Sequence, residues 1–218
     1  MSDLLNEQKR YYAARAPEYD DWWYRRGRYE LESGALARWR EDIAEADAAL
    51  EAFAVRGTVL ELAAGTGIWT RKLVRFADRV VAVDANPETL AFNTDEAELV
   101  VADVFDWESP DEFDVVFFSF WLSHVPEERF EEFWALVRSA LKPGGRVFLV
   151  DNAAGGESSH GRRSGDESET RTLADGREFE IVKLRRTQDD LRARLATLGF
   201  ALDLRVTANG NFLYGFGS

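Results

Sequence analysis

Three carboxylates and two glycines are spaced so that they would meet around one ligand. Glu61 lies within a short apolar run that ends at Gly65 and Gly67. Asp84 and Asp103 each end a further apolar run. Glycines let the backbone approach a ligand closely and adopt dihedral angles that other residues avoid. A carboxylate at the end of a strand can hold the hydroxyls of a ribose. The spacing therefore favours a site for a cofactor that contains a nucleoside.

The elements that must position these residues alternate between apolar strands and helices. The predicted strands of the central segment read TVLELAA, RVVAVDAN, AELVVAD, FDVVFFSF and RVFLVDN. Strands of this kind, separated by helices, imply a parallel sheet that is covered on both faces. Ligands bind such sheets at the carboxyl ends of the strands, where the strand order reverses. Glu61, Asp84 and Asp103 are therefore expected at one edge of the sheet.

The composition narrows the classes of function. Asp and Glu number 40 and Lys and Arg 27, so the formal net charge is −13. This charge repels phosphate backbones, and we expect no nucleic-acid partner. The chain contains no cysteine and only two histidines, His124 and His160, so we expect no metal site. No run approaches the roughly 18 apolar residues of a membrane span, and the N-terminus lacks the apolar core of a signal peptide. A cytoplasmic protein without a membrane partner is expected.

The stretch from Val59 to Thr70, VLELAAGTGIWT, together with Asp84 and Asp103, resembles the cofactor site of class I S-adenosylmethionine-dependent methyltransferases. The resemblance covers about residues 58–151, and the two closing strands also fit it. It implies an α/β fold with a doubly wound, mostly parallel seven-stranded sheet and an antiparallel last strand. It also implies S-adenosylmethionine as the methyl donor and S-adenosylhomocysteine as the product. Ala63 stands where this family most often has glycine.

The resemblance also implies roles for individual residues. Glu61 and the loop glycines would surround the methionine amino group and the sugar, Asp84 would hold the ribose, and Asp103 would meet the adenine. A helix cap is the alternative role for Asp84, and a plain loop aspartate is the alternative for Asp103. The residues expected to contact the cofactor are Tyr11, Glu61, Ala63, Gly65, Thr66, Gly67, Asp84, Ala85, Asn86, Asp103, Val104, Ser119 and Phe120.

A dinucleotide-dependent oxidoreductase is the alternative for this loop. Such an enzyme, which would bind NAD(P), expects Gly-x-Gly-x-x-Gly, with its glycines facing a pyrophosphate at a helix N-terminus. Here the third glycine of that pattern would fall at Thr70. A Walker-type phosphate loop requires Gly-Lys-Ser/Thr, which is absent from the sequence. The pattern therefore favours the methyltransferase over the oxidoreductase.

The N-terminal segment YYAARAPEYD, residues 11–20, resembles the leading helix of small-molecule methyltransferases. In that family this helix covers the cofactor, and a tyrosine near its start reaches the methionine end. The resemblance assigns that role to Tyr11, with Tyr19 second, and packing against the sheet is the alternative. The arginines at 25, 26 and 28 are suited to an acidic acceptor, and the aromatic residues at 22, 23 and 24 to an apolar one. The alternative is that these aromatic residues belong to the core and the arginines offset an acidic surface. Residues expected to contact the methyl acceptor are Tyr19, Trp22, Trp23, Trp121 and His124.

His124 follows the fourth strand in a loop that faces the reactive end of the cofactor in this family. It is the candidate general base, and a histidine that caps a helix or donates a structural hydrogen bond is the alternative. A base is needed only if the acceptor carries a proton at the working pH.

The whole chain, residues 1–218, is expected to form one methyltransferase domain. A helical lid covers residues 1–56 and the cofactor-binding core covers residues 57–151. A small β insertion after the fifth strand covers residues 152–186, in which a polar loop at 153–171 precedes a hairpin at Asp175-Gly176. A closing helix, capped by Thr187, and a hairpin at Asn209-Gly210 cover residues 187–218.

The expected reaction is methyl transfer to an oxygen or nitrogen of a small metabolite, because a lid closes over a compact acceptor. A protein acceptor is one alternative. A non-catalytic subunit that binds S-adenosylmethionine is another, because the chemistry demands few protein groups. The protein is expected to be a monomer or a homodimer.

Overall fold

A computed structural model describes residues 2–94, 96–155 and 161–218 of the chain. The helices are α1 (Ser2–Arg15), α2 (Tyr19–Tyr24), α3 (Ser33–Phe53), α4 (Thr70–Leu73), α5 (Pro87–Leu90), α6 (Phe130–Ser139) and α7 (Gln188–Thr197). The strands are β1 (Thr58–Leu62), β2 (Arg79–Asp84), β3 (Glu98–Val101), β4 (Phe113–Ser119), β5 (Leu141–Asn152), β6 (Gly161–Arg163), β7 (Ser168–Thr172), β8 (Glu178–Val182), β9 (Leu202–Val206) and β10 (Phe212–Gly217). Short 3₁₀ turns lie at Ala16–Glu18, Gly27–Tyr29, Leu122–His124 and Glu127–Arg129.

The central sheet has seven strands in the order β3-β2-β1-β4-β5-β10-β9. The pairs from β3 to β5 are parallel, and β10 is antiparallel to both β5 and β9. The predicted sheet with its antiparallel last strand is therefore confirmed. The chain runs outward from β1 in one direction through β2 and β3, and in the other direction from β4. This reversal of strand order opens a crevice at the carboxyl ends of β1 and β4.

Both faces of the sheet are buried, as the apolar strands predict. Alternate residues of β4 point to opposite faces, since Val116 and Phe118 belong to one core cluster and Val115 and Phe117 to the other. On the first face the sheet packs against α6 and α7, and Trp134 is 1% exposed there. On the second face it packs against α3 and the segment around α2.

The N-terminal segment is helical, as predicted. Helix α1 ends at Arg15, and Pro17 lies in the 3₁₀ turn that follows, because a proline removes a backbone donor and clashes with the preceding turn. The α1 helix lies against β8 of the insertion. Helix α3 packs on the sheet through Trp39, whose ring meets that of Phe212 on β10 with centroids 4.6 Å apart.

The predicted small β insertion after β5 is confirmed, and its described part is a sheet of the order β6-β7-β8. The hairpin at Asp175-Gly176 is confirmed as β7 and β8. The expected polar loop at 153–171 is wrong in part, because β6 and the start of β7 lie within it and pair antiparallel. Buried Glu169 on β7 forms ion pairs with Arg171 and Arg185, which ties these polar residues into the sheet. His160 lies outside the described residues.

The last predicted elements are also confirmed. Thr187 caps α7, since its side chain accepts a hydrogen bond from the Asp190 backbone N–H. The β9–β10 hairpin forms around Asn209-Gly210. Within the described parts of the chain, none of the helices is both long enough and apolar enough to cross a bilayer.

Candidate active site

A cavity opens at the carboxyl ends of β1, β2 and β4, where the topology places a ligand crevice. It encloses about 730 Å³, counting the part that is open to solvent. Small-molecule sites commonly span roughly 300–1,000 Å³. The residues predicted to contact the cofactor that line it are Ala63, Gly65, Asp84, Ala85, Asn86, Asp103, Val104, Ser119 and Phe120. We call it the cofactor cavity.

The loop after β1 takes the left-handed backbone conformations that its glycines predict. The φ angle is 54° at Ala63, 60° at Gly65 and 86° at Gly67. Ala63 thus occupies a conformation that glycine adopts without strain. This backbone requirement is a physical reason for glycine to be the commonest residue there in the family.

Asp84 joins the loop to the end of β2. One carboxylate oxygen accepts a hydrogen bond from the Gly65 N–H and the other accepts one from the Asn86 N–H, each at 2.9 Å. Burial raises the pKa of Asp84, and the backbone donors act against that rise. Each carboxylate oxygen has a further lone pair, so Asp84 can also accept hydrogen bonds from a ligand.

A further part of the cavity is built around Asp103. Its carboxylate accepts the Phe105 N–H at 3.0 Å and forms an ion pair with Lys9 of α1 at 2.7 Å. The apolar side chains of Val104 and Phe105 also line this part. Two further lining groups, the Thr89 hydroxyl and the Trp121 indole N–H, are buried without a hydrogen-bond partner in the described structure. Carboxylates, apolar surface and unmatched polar atoms together fit a nucleoside.

Some predicted cofactor residues do not line this cavity. Glu61 is 1% exposed and accepts a hydrogen bond from the Thr70 hydroxyl at 2.6 Å. The Thr66 hydroxyl donates to Asp20. A Cβ at Gly67 would lie 2.5 Å from Asn93, so this glycine permits close packing of the loop. These three residues stabilise the loop through contacts outside the cavity.

Tyr11 also points elsewhere. It packs with Leu173 and Ile181 of the insertion, whereas its neighbour Tyr12 lines the cofactor cavity. Adjacent residues on a helix lie about 100° apart around the axis, so only one of the two can face the site. A sequence pattern of two consecutive tyrosines does not decide which.

A second cavity of about 530 Å³ adjoins the first. Tyr12, Tyr19, Phe120 and His124 line both cavities. None of the described residues that line the second cavity is acidic. Four of them are cationic: Arg15, Arg25, Arg171 and Lys183. We call it the acceptor cavity. Sequence reasoning pointed to Arg25 but missed the other three cations, which lie on α1 and in the insertion.

Arg15 is held in this cavity by aromatic rings. Its residue is 8% exposed, and its guanidinium carbon lies 4.9 Å from the Tyr19 ring centroid and 5.8 Å from that of Trp22. Its Nε atom has no hydrogen-bond partner, and no carboxylate of the described residues forms an ion pair with it. Cation–π contacts retain part of the interaction energy that a buried cation loses with water.

His124 links three segments at the junction of the two cavities. Its Nδ1 lies 2.7 Å from the Val182 carbonyl oxygen, which only accepts, so Nδ1 carries the proton. Its Nε2 therefore accepts the hydrogen bond from the Tyr12 hydroxyl, at 2.8 Å. Burial, followed by the charge of nearby Lys183, lowers the pKa of His124 well below its usual value. The ring is neutral at neutral pH.

Comparison with known proteins identifies the family of this chain. A family model described as a methyltransferase domain matches residues 59–145. A solved DhpI–SAM–HEP complex is 38% identical, with a TM-score of 0.82, over 99% of this chain and 97% of that chain. A DhpI–SAH complex is also 38% identical, with a TM-score of 0.81, over 100% of this chain and 98% of that chain. The chain belongs to the S-adenosylmethionine-dependent methyltransferases.

More distant methyltransferases share the fold. The 1,6-didemethyltoxoflavin-N1-methyltransferase of Burkholderia thailandensis, solved with S-adenosylhomocysteine, is 19% identical, with a TM-score of 0.58, over 95% of this chain and 88% of that chain. A comparison with curated protein sequences gives no match. S-adenosylmethionine is the cofactor of this methyltransferase and S-adenosylhomocysteine is its product.

The remaining predicted acceptor residues of the methyltransferase divide between cavity and core. Trp22 lines the acceptor cavity and Trp121 the cofactor cavity. Trp23 lines neither, because it is 3% exposed and packs among Trp39 and Trp69. Two tryptophans in sequence on a helix, like the two tyrosines, face different surroundings.

Lys183 of the methyltransferase is buried beside the acceptor cavity. Its ammonium group donates to the Ser123 hydroxyl and to the Asn152 side-chain oxygen, each at 2.7 Å. Burial lowers its pKa to about 8. The positive charge of this wall of the cavity therefore depends on pH near neutrality.

Proposed function

We propose that this methyltransferase transfers the methyl group to an oxygen or nitrogen of a small anionic metabolite bound in the acceptor cavity. The observation that carries this proposal is the buried guanidinium of Arg15, which has no carboxylate partner among the described residues. A buried charge is costly unless it is paired, so an acidic group of the acceptor would supply the partner. Arg25 and Lys183 add positive charge to the same cavity.

The cofactor, when bound, supplies a methyl group on a positively charged sulfur, which passes in line to the acceptor atom while the electron pair of the broken C–S bond stays on sulfur. The protein must align the acceptor and exclude water. We assign this alignment to Tyr12, Tyr19, Phe120 and His124, because they line both cavities. We assign the ribose hydroxyls to Asp84.

Within this proposal His124 orients Tyr12 instead of acting as the base. Its Nε2 lone pair is occupied by the Tyr12 hydroxyl, and burial keeps its pKa low. An acid that is ionised at neutral pH offers an oxygen lone pair without losing a proton, so it needs no general base.

The charge of the cavity also bears on the protein acceptors considered from the sequence. A lysine or arginine side chain would bring a further cation against Arg15 and Arg25, which like-charge repulsion opposes. The cavity therefore favours a small acid over a basic side chain of another protein.

The test is methyl transfer from labelled S-adenosylmethionine to a panel of carboxylic acids, phosphoric acid esters, amines and neutral alcohols. We expect label only in acids. Arg15→Met should raise KM for the acceptor at least about tenfold, the loss of roughly 1.4 kcal/mol of charge pairing, and leave S-adenosylhomocysteine affinity unchanged. Arg26→Met is the matched control, because Arg26 is exposed and outside both cavities. Label in neutral compounds or amines, undiminished by Arg15→Met, would refute the proposal.

A further inference from the structure

One edge of the insertion sheet is covered by side chains of helix α1. The described sheet has the order β6-β7-β8, so β8 presents its outer backbone groups to α1. The Glu180 N–H donates to the Glu7 carboxylate at 2.8 Å, and the Val182 N–H donates to the Gln8 side-chain oxygen at 3.0 Å. Alternate residues of a strand direct their N–H groups to the same side, which explains this spacing. Adjacent helix residues thus cover two donors of an open edge.

The same helix face reaches the junction of the cavities. Gln8 and Tyr12 are four residues apart, so they are neighbours on one face of α1. The Gln8 amide donates to the His124 carbonyl at 3.4 Å, and Tyr12 donates to the His124 ring. His124 in turn donates to the Val182 carbonyl. These bonds close a ring through α1, the turn that carries His124, and β8.

This arrangement determines where the α1 side chains that line the two cavities lie. The helix contributes Leu5, Gln8, Lys9 and Tyr12 to the cofactor cavity, and Tyr12 and Arg15 to the acceptor cavity. We infer that the edge of β8 that faces α1 positions this helix over S-adenosylmethionine, and that Glu7 and Gln8 are positioning residues for methyl transfer. The insertion thereby affects cofactor binding, although none of its described residues lines the cofactor cavity.

Glu7 separates positioning from direct contact. Glu7 lines neither cavity, so it can affect cofactor binding only through the contacts between α1 and β8. Gln8 lines the cofactor cavity, so its substitution would change both the position of α1 and the direct contact with the cofactor. Glu7→Ala removes the acceptor of the Glu180 N–H, whereas Glu7→Gln keeps an oxygen in the same place.

The experiment measures the dissociation rate of S-adenosylhomocysteine from the full chain by stopped-flow displacement. Four residues of α1 line the cofactor cavity, so loosening the helix should speed release of the product. We expect Glu7→Ala to raise this rate about fivefold, the equivalent of one hydrogen bond of about 1 kcal/mol. Glu7→Gln should restore the wild-type rate. Glu51→Ala, an exposed carboxylate on α3, is the matched control.

A second variant removes the same bond from the other side. Glu180→Pro deletes the donor, and proline is tolerated at the outward N–H positions of edge strands. If Glu7 acts through this bond, the double variant should release the product no faster than the faster single variant. Hydrogen exchange in α1 should rise in both single variants.

Two results would overturn the inference. One is a Glu7→Ala variant that releases S-adenosylhomocysteine at the wild-type rate. The other is a Glu7→Gln variant that releases it as fast as Glu7→Ala, because loss of the acceptor oxygen would then not be the cause. Neither result depends on the identity of the methyl acceptor, so each is distinct from failure of the proposed function.

Discussion

Replacing Asp84 with asparagine tests the link between the loop and the cofactor most directly. The Asp84 side chain accepts backbone N–H groups of Gly65 and Asn86, one on each oxygen. An amide has only one oxygen, so Asp84→Asn sets an NH₂ group against one of these donors. The variant also removes the negative charge that we propose holds the ribose hydroxyls. We expect weaker binding of S-adenosylhomocysteine.

The size of the effect follows from the surroundings of the carboxylate. Asp84 is 9% exposed, so water can replace little of what is lost. Hydrogen bonds to charged groups contribute about 1.5–3 kcal/mol each. Loss of one such bond corresponds to a roughly ten- to hundredfold higher Kd, at about 1.36 kcal/mol for each factor of ten.

Isothermal titration calorimetry with S-adenosylhomocysteine measures the change, and circular dichroism checks that the variant is folded. Asp114→Asn is the matched control, because Asp114 accepts the Thr58 N–H at the opposite end of β1. That variant should bind with the wild-type Kd. An unchanged Kd in folded Asp84→Asn, or an equal loss in Asp114→Asn, would refute the assignment of Asp84 to the cofactor site.

Three further predictions concern protonation. Burial lowers the pKa of Lys183 to about 8, and an anion binds the protonated form of this side chain. Calorimetry should therefore show that the affinity of the S-adenosylhomocysteine complex for sulfate is constant below that pH and falls above it. Lys183→Met should abolish this pH dependence. Hydrogen bonds from Lys142 and Thr58 lower the pKa of Asp114 from 3.8 to about 2. The ionised carboxylate therefore stabilises the fold above pH 3.8, and this stabilisation is lost as the pH falls through 2. Asp114→Asn should lower the Tm at pH 7 but not near pH 2. Burial lowers the pKa of His124 well below its usual value of 6.5, so ¹⁵N NMR should show a neutral ring, protonated at Nδ1, at pH 6.5. An imidazolium signal at that pH that disappears in His124→Gln would contradict the geometry.

The central sheet and most of the cofactor cavity were predictable because their signals are local. Apolar strands that end in Gly65, Asp84 and Asp103 bring these residues to one edge of any parallel sheet, whatever surrounds them. The turn at Asn209-Gly210 and the cap at Thr187 are likewise encoded by a few adjacent residues. Strand β6 was missed because the polar residues of β6 and β7 show no apolar alternation, although the two strands pair and Glu169 of β7 is held by ion pairs.

The acceptor cavity shows the opposite case. Arg15 lies on α1 while Arg171 and Lys183 lie in the insertion, so no local pattern indicates that three cations surround one space. The same holds for Tyr12, which reaches the site in place of Tyr11 because the α1 helix is rotated by its contacts with β8.

The sequence by itself indicated the methyl donor, because its strand-end loop and two strand-end carboxylates resemble the cofactor site of class I S-adenosylmethionine-dependent methyltransferases. Only the tertiary structure decided the charge of the acceptor cavity. Electrostatic surroundings are summed over side chains that are remote in the chain, and a net charge of −13 conceals a cavity lined by four cations.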